Sequence, residues 1–174
     1  VIWLMVMACV LNIMPVFGQS ESKNNKVIAD CSTAKSEFIK ADGLMNALFE
    51  KSYGYVIFPN VGKGGIGVGG AAGNGVVYEQ NKIVGMAKLS QLSIGLQAGG
   101  QAYREVIFFE SKKELDRFKN SQFEFSAQAS AVAAKSGASA NAKYTNGVMV
   151  FTMQKGGLMY EASIGGQEFK FKKI

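Results

Sequence analysis

Histidine is absent from all 174 residues, and cysteine occurs only twice, as Cys9 and Cys31. Without imidazole the commonest general base and metal ligand is missing, and two thiols cannot build a zinc site. Most hydrolytic constellations are thereby excluded, and no metal site, cofactor or catalytic residue is expected. A Ser-Lys pair is the one nucleophilic arrangement such a composition leaves open, and nothing in the pattern marks one.

Charge is also lacking from the first 20 residues, which hold an apolar run ending at Pro15, Val16, Phe17 and Gly18. The run is too short, and too closely followed by polar Gln19, Ser20 and Glu21, for a permanent span of roughly 20 residues. It reads as a signal peptide over residues 1–18, with Val16 and Gly18 at the small-residue positions before cleavage. No basic stretch precedes Val1, so the start of the precursor is expected upstream. Val6, Met7, Ala8 and Cys9 loosely resemble a lipobox. A lipidated cysteine, however, normally ends such a run, and this one continues to Phe17.

What remains after Gly18 is long enough for one domain that buries roughly two thirds of its unfolded surface. It would retain only Cys31, so no internal disulfide can form, and Cys31 is expected as a small buried apolar residue. The net charge of +6 falls wholly in this part. A basic exported chain points first to anionic lipid, cell-wall polymer or nucleic acid.

Helical spacing is confined to two places. Val27, Cys31, Ala34 and Phe38, then Leu44, Met45, Leu48 and Phe49, recur at three-and-four intervals and predict two short helices broken at Asp42-Gly43. Ser111 to Glu114 is a capping box ahead of Leu115 and Phe118. Elsewhere the period is two. Leu92, Ile94, Leu96 and Ala98 alternate with polar or glycine residues, as do Phe123 to Ala131 and Leu158 to Ile164. Asn74-Gly75 and Asn146-Gly147 carry hairpin chemistry, and Gly156-Gly157 and Gly165-Gly166 punctuate the last strands. The fold expected is α+β: a mainly antiparallel curled or barrel-like sheet, with N-terminal helices and one helix in the middle of the chain.

Val61 to Gly75 reads VGKGGIGVGGAAGNG, in which Gly62, Gly64 and Gly67 match a dinucleotide fingerprint. The context does not fit, because a nucleotide site needs a helix next and strand-like Val76, Val77 and Tyr78 follow instead. Glycine at alternate strand positions lets another backbone, a helix or a ligand approach closely.

The order of these segments carries a resemblance. Tyr53-Gly54-Tyr55-Val56-Ile57-Phe58-Pro59, the glycine run, Gly75-Val76-Val77, then Ser93 to Gln101 with its G-x-Q-x-G-G, leading into Val106 to Phe109, is similar to the SYLF (Ysc84-type) family in its bacterial exported branch. The likeness covers about residues 35–172. It divides the chain into the signal peptide (1–18), a partly helical N-terminal segment (19–34) and a SYLF-like domain (35–174). The Trp and Pro often seen in the family before the G-x-Q-x-G-G segment are absent around Lys82 to Leu92, so no detailed ligand contacts carry over. What the resemblance implies is a lipid-binding, non-catalytic, membrane-associated module of the cell envelope, periplasmic or secreted or associated with the outer membrane. Its expected partners are anionic phospholipid and an envelope protein. Neither nucleic acid nor the actin met by eukaryotic members is expected. The alternative is a structural or interaction protein that packs against itself or another protein.

Lys63, Lys88 and Arg104 are candidates for lipid headgroups, or else solvated charges that discourage strand-to-strand association. Leu44, Met45, Leu48 and Phe49 are candidates for apolar lipid contact, or else core. Lys170, Lys172 and Lys173 alternate with Phe169 and Phe171 and read as the polar face of a last strand.

Overall fold

A computed structural model describes residues 17–66, 68–94, 101–125, 129–155 and 162–174. The elements run α1 (Phe17–Ala41), α2 (Met45–Lys51), β1 (Gly54–Ile66), β2 (Val68–Glu79), β3 (Lys82–Ile94), β4 (Gln101–Phe109), α3 (Lys112–Lys119), β5 (Ser130–Ala133), a 3₁₀ turn (Ala138–Ala140), β6 (Val148–Gln154), β7 (Ala162–Ser163) and β8 (Gln167–Lys173). The strands form one sheet in the order β7-β5-β6-β4-β1-β2-β3-β8. All neighbours are antiparallel except β5 and β6. The expected α+β class and curled antiparallel sheet are therefore present, with the helices where the periodicity put them.

The curl follows from chain connectivity. The two ends of the sheet order, β7 and β8, are joined by only Ile164, Gly165 and Gly166, with Gly166 at φ +75°. Ile164 N–H donates to Ala129 O, and the Gln91 side-chain amide donates to Gly165 O at 2.8 Å. The sheet thus wraps round on itself without a ladder closing it.

Alternation along the strands then sorts apolar residues into two cores. Val56, Phe58, Ala71, Val77, Leu89, Ile107, Phe109 and Phe169 point into the curl, where Leu115 and Phe118 of α3 join them. Tyr55, Ile57, Val76, Val106, Phe108 and Phe151 point outward and are covered by Cys31, Ala34 and Phe38 of α1 and Met45 and Phe49 of α2. A register shift between Ile57 and Asn60 surrounds Pro59, which has no N–H to give a ladder.

Several expectations are corrected. The first helix, expected to be short, runs 25 residues, although it ends at Ala41, before the expected break at Asp42-Gly43. Asn74-Gly75 lies inside β2, paired with Asn60 and Ala87, and is not a hairpin. The β2–β3 turn is Gln80-Asn81, both at positive φ. Gly75 is needed for space, since a Cβ there would stand 2.7 Å from Phe58 Cδ1. Asn146-Gly147, at φ 51° and 77°, does form the tight turn expected, bridged by Thr145 and Val148. Among the described residues from Phe123 to Ala131 only those of β5 are strand, although Phe123 and Ala131 are both buried. Gly156-Gly157, Leu96, Ala98 and residues 1–16 lie outside the described residues.

Candidate functional site

The three basic candidates do not form one patch. Lys63 follows Val61 on the inward row of β1, opposite inward Ala71, and is half-buried at the glycine-rich end. Arg104 points outward from β4 and is paired with Glu37 of α1, Nη2 to Oε2 at 2.8 Å. Lys88 points outward from β3, exposed, three strands from β4 and hence about 14 Å away. The apolar candidates divide as well. Met45 and Phe49 are core, Leu48 is half-buried against it, and Leu44 is 55% exposed.

A different grouping emerges around Lys88, because the cluster under α1 and α2 takes in β1, β2, β4 and β6 but only half-buried Met86 of β3, and leaves the rest of the outer row of β3 and β8 exposed. Lys88 stands directly opposite Lys170 of β8. Side chains so paired have Cβ atoms roughly 5 Å apart, and like charges there repel. Both are exposed, and among the described residues neither makes an ion pair. Lys172 follows on the same face, opposite Met86, and the acidic member, Glu168, sits opposite Ser90.

Beside these cations is exposed apolar surface. Four large apolar side chains are exposed among the described residues, and three belong to this edge: Leu92 at 83%, Ile83, and Ile174 after β8. Leu92 corrects the alternation expected from Leu92 onward. Ala87 and Leu89 fix the inward row of β3, so Gln91 is buried and Leu92 faces out. The Lys170-Lys172 alternation was visible in the sequence, but its pairing with Lys88 needed the β3–β8 register, which joins strands nearly 80 residues apart.

Beneath this surface the interior holds a polar belt. Gln91 is paired with Gln167, whose amide donates to Glu105 at 2.9 Å, and Glu105 is paired with Thr152. All four are buried, and among the described residues Gln91 Oε1, Gln167 Oε1, Glu105 Oε1 and Thr152 Oγ1 have no hydrogen-bond partner. Burial pushes the Glu105 carboxyl up to about 7, with the Gln167 amide pulling it back. Cys31 is buried as expected; burial pushes its thiol up to about 12, and it donates weakly to Ile57 O. A thiol so held is not a nucleophile. No group of three or more acidic or cysteine side chains among the described residues could hold a metal ion, and no described helix is long and apolar enough to cross a membrane.

Two comparisons bear on what this arrangement belongs to. The family model described as "Las17-binding protein actin regulator", Ysc84, matches residues 90–173, a stretch that includes β4, α3, β6 and the β8 lysines. Beta cell expansion factor A of Aeromonas veronii is 31% identical over 128 residues, covering 72% of this chain and 48% of that protein. The chain thus spans about half the length of that curated relative.

Proposed function

The chain belongs to the SYLF (Ysc84-type) family, and from that premise we propose that it is a non-catalytic module that attaches to anionic lipid surfaces of the cell envelope through the bare face of β3 and β8. One observation carries the reading. Lys88 and Lys170 are held opposite each other, exposed and without an ion pair among the described residues, on the same face of β3 as Leu92, which is 83% exposed. Two like charges in that position cost stability, and an anionic surface removes the cost. Each lysine near such a surface is worth about 1 kcal/mol, and Leu92 supplies an apolar side chain to the headgroup boundary. Export, supported by the uncharged apolar run before Gln19, would bring the protein to such a surface.

The alternative, packing against a protein through the open β8 edge, is opposed by the same lysines, since charge along an edge strand disfavours strand addition. The actin-regulator description stays with the proteins that carry it.

The test is co-sedimentation with vesicles of phosphatidylglycerol or of phosphatidylcholine, at low and high salt. Wild type should bind the anionic vesicles and release as salt shortens screening from about 10 Å at 0.1 M to about 3 Å at 1 M. The double variant Lys88→Gln, Lys170→Gln should bind more weakly by about 2 kcal/mol while folding normally. Undiminished binding by this variant would remove the β3–β8 face from the reading.

A further inference from the structure

β5 is laddered to β6 only at Val132 and Ala133, although β6 begins at Val148. Among the described residues no ladder joins the two strands ahead of Val132, and Lys113, Glu114 and Arg117 of α3 line the space beside them. The result is a cleft of about 690 Å³, within the roughly 300–1,000 Å³ that ordinarily receives a small ligand. Its wall is apolar where it meets the inner core: Phe123, Phe125, Val148, Val150 and Ile164. Three cations line it from two sides, Lys113 and Arg117 on α3 and Lys143 before the Asn146-Gly147 turn. All three are exposed, and none makes an ion pair among the described residues. Of the two carboxylates on the lining, Glu114 accepts from the Ser111 hydroxyl of the helix cap and lies in the field of Lys113 and Arg117, so that with Glu124 the lining keeps an excess of one positive charge.

We propose that this cleft is a binding site for a single anionic amphiphile, its acidic head held by Arg117, Lys143 and Lys113 and its hydrocarbon chain laid against Phe123, Val148 and Val150. The charge decides the class. A purely apolar ligand would leave the positive excess at the mouth unbalanced, and a small anion would leave the half-buried Phe125, Ala129 and Val132 of the lining in water. An amphiphile with a carboxylate or phosphate head satisfies both, and Arg117 can take either head in a two-pronged hydrogen bond. Neither Lys88 nor Lys170 lines the cleft, so it holds one extracted lipid or fatty acid where the β3–β8 face meets a surface. The ligand class rests on the lipid-binding reading, while the site rests on the cleft itself.

Calorimetric titration of the whole chain with monomeric palmitate tests it, with hexadecanol, octanoate and lysophosphatidic acid as comparators. Palmitate should saturate one site. Octanoate should bind more than about 100-fold more weakly for want of buried methylenes, and hexadecanol should lose the head contribution. Tighter binding of lysophosphatidic acid than of palmitate assigns a phosphate head; the reverse assigns a carboxylate. Arg117→Gln with Lys143→Gln, both exposed and so compatible with folding, should weaken palmitate at least about 10-fold. Ala129→Leu, which narrows the cleft, should weaken both acids, with circular dichroism confirming the fold. Absence of saturable binding by either acid, or equal affinity in the double variant, overturns the proposal. Lys88→Gln with Lys170→Gln should leave palmitate affinity unchanged. Palmitate binding without vesicle binding therefore removes the surface reading alone, and vesicle binding without palmitate or lysophosphatidic acid binding removes the cleft alone.

Discussion

At the scale of single residues, Glu105 is the most exposed to a change of pH although no solvent reaches it. Its carboxyl is raised from the ordinary 4.5 to about 7 because burial penalises the ionised form more than the one Gln167 hydrogen bond favours it. The folded protein therefore holds this proton more tightly than the unfolded chain does. Stability is highest below about pH 4.5, falls between 4.5 and about 7, and is flat above, with a total loss of about 3 kcal/mol from this group. Glu105→Gln keeps the shape and the bond to Gln167, cannot ionise, and offers an amide donor beside the unpartnered Thr152 hydroxyl. Urea denaturation should find the variant more stable than wild type by about 3 kcal/mol at pH 8, with the difference shrinking toward pH 4. An equal change at both pH values would show that ionisation of Glu105 is not its source. Nothing in the sequence singled out Glu105, because a glutamate in Arg104-Glu105-Val106 reads as a polar strand residue. Only the curl, by bringing β8 across to β4, makes it interior.

At the scale of elements, legibility depended on how local the deciding contacts are. The α3 cap could be read directly, since Ser111 and Glu114 act within one turn: Lys113 N–H donates to Ser111 Oγ, and the Ser111 hydroxyl donates to Glu114. The break between α1 and α2 was also legible at Asp42-Gly43, but the larger role of Asp42 was not. One carboxylate oxygen accepts from Leu44 N–H, while the other accepts from the Ser139 N–H at 2.8 Å and the Ser139 hydroxyl at 2.7 Å. That ties the helix break to the 3₁₀ turn almost 100 residues later, a link no local pattern can announce. Strand phase failed for the same reason at Leu92, where alternation showed two faces and long-range register chose between them. The candidate site shared that fate: its lysines were each noticed, but their grouping is a property of the β3–β8 pairing. Asp42→Ala should leave the Ser139 N–H buried and unpaired and cost about 2 to 3 kcal/mol. Burial works to raise the Asp42 carboxyl, yet the Ser139 and Leu44 hydrogen bonds outweigh it and hold it below its ordinary value. Its contribution is therefore complete above the ordinary carboxylate range and lost as pH falls through the lowered folded value. Acid titration of thermal stability should find the gap between wild type and Asp42→Ala narrowing as pH falls through that lowered value; a constant gap would separate the cost from ionisation.

At the scale of the whole molecule, two cores share one set of strands. Along β1, Val56 and Phe58 face the curl while Tyr55 and Ile57 face the helices, and along β4 Ile107 and Phe109 face inward while Val106 and Phe108 face outward. Neither core can loosen without moving the backbone that supports the other. α1 and α2 are thus part of the same cooperative unit as the sheet, although they touch only its outer side. Phe38→Ala, in the outer core, and Phe109→Ala, in the inner, should each cost about 3 to 5 kcal/mol through loss of buried area and a residual cavity. Both should shift a single unfolding transition, with helical circular dichroism and tyrosine fluorescence changing together. An early helical loss in Phe38→Ala, with the tyrosine signal of the sheet unmoved until higher denaturant, would show instead that the helices dock as a separate unit. In that case the bare β3–β8 face would no longer be set by what α1 and α2 cover, and vesicle binding by Phe38→Ala would exceed that of wild type as Tyr55, Ile57 and Val106 became exposed beside it.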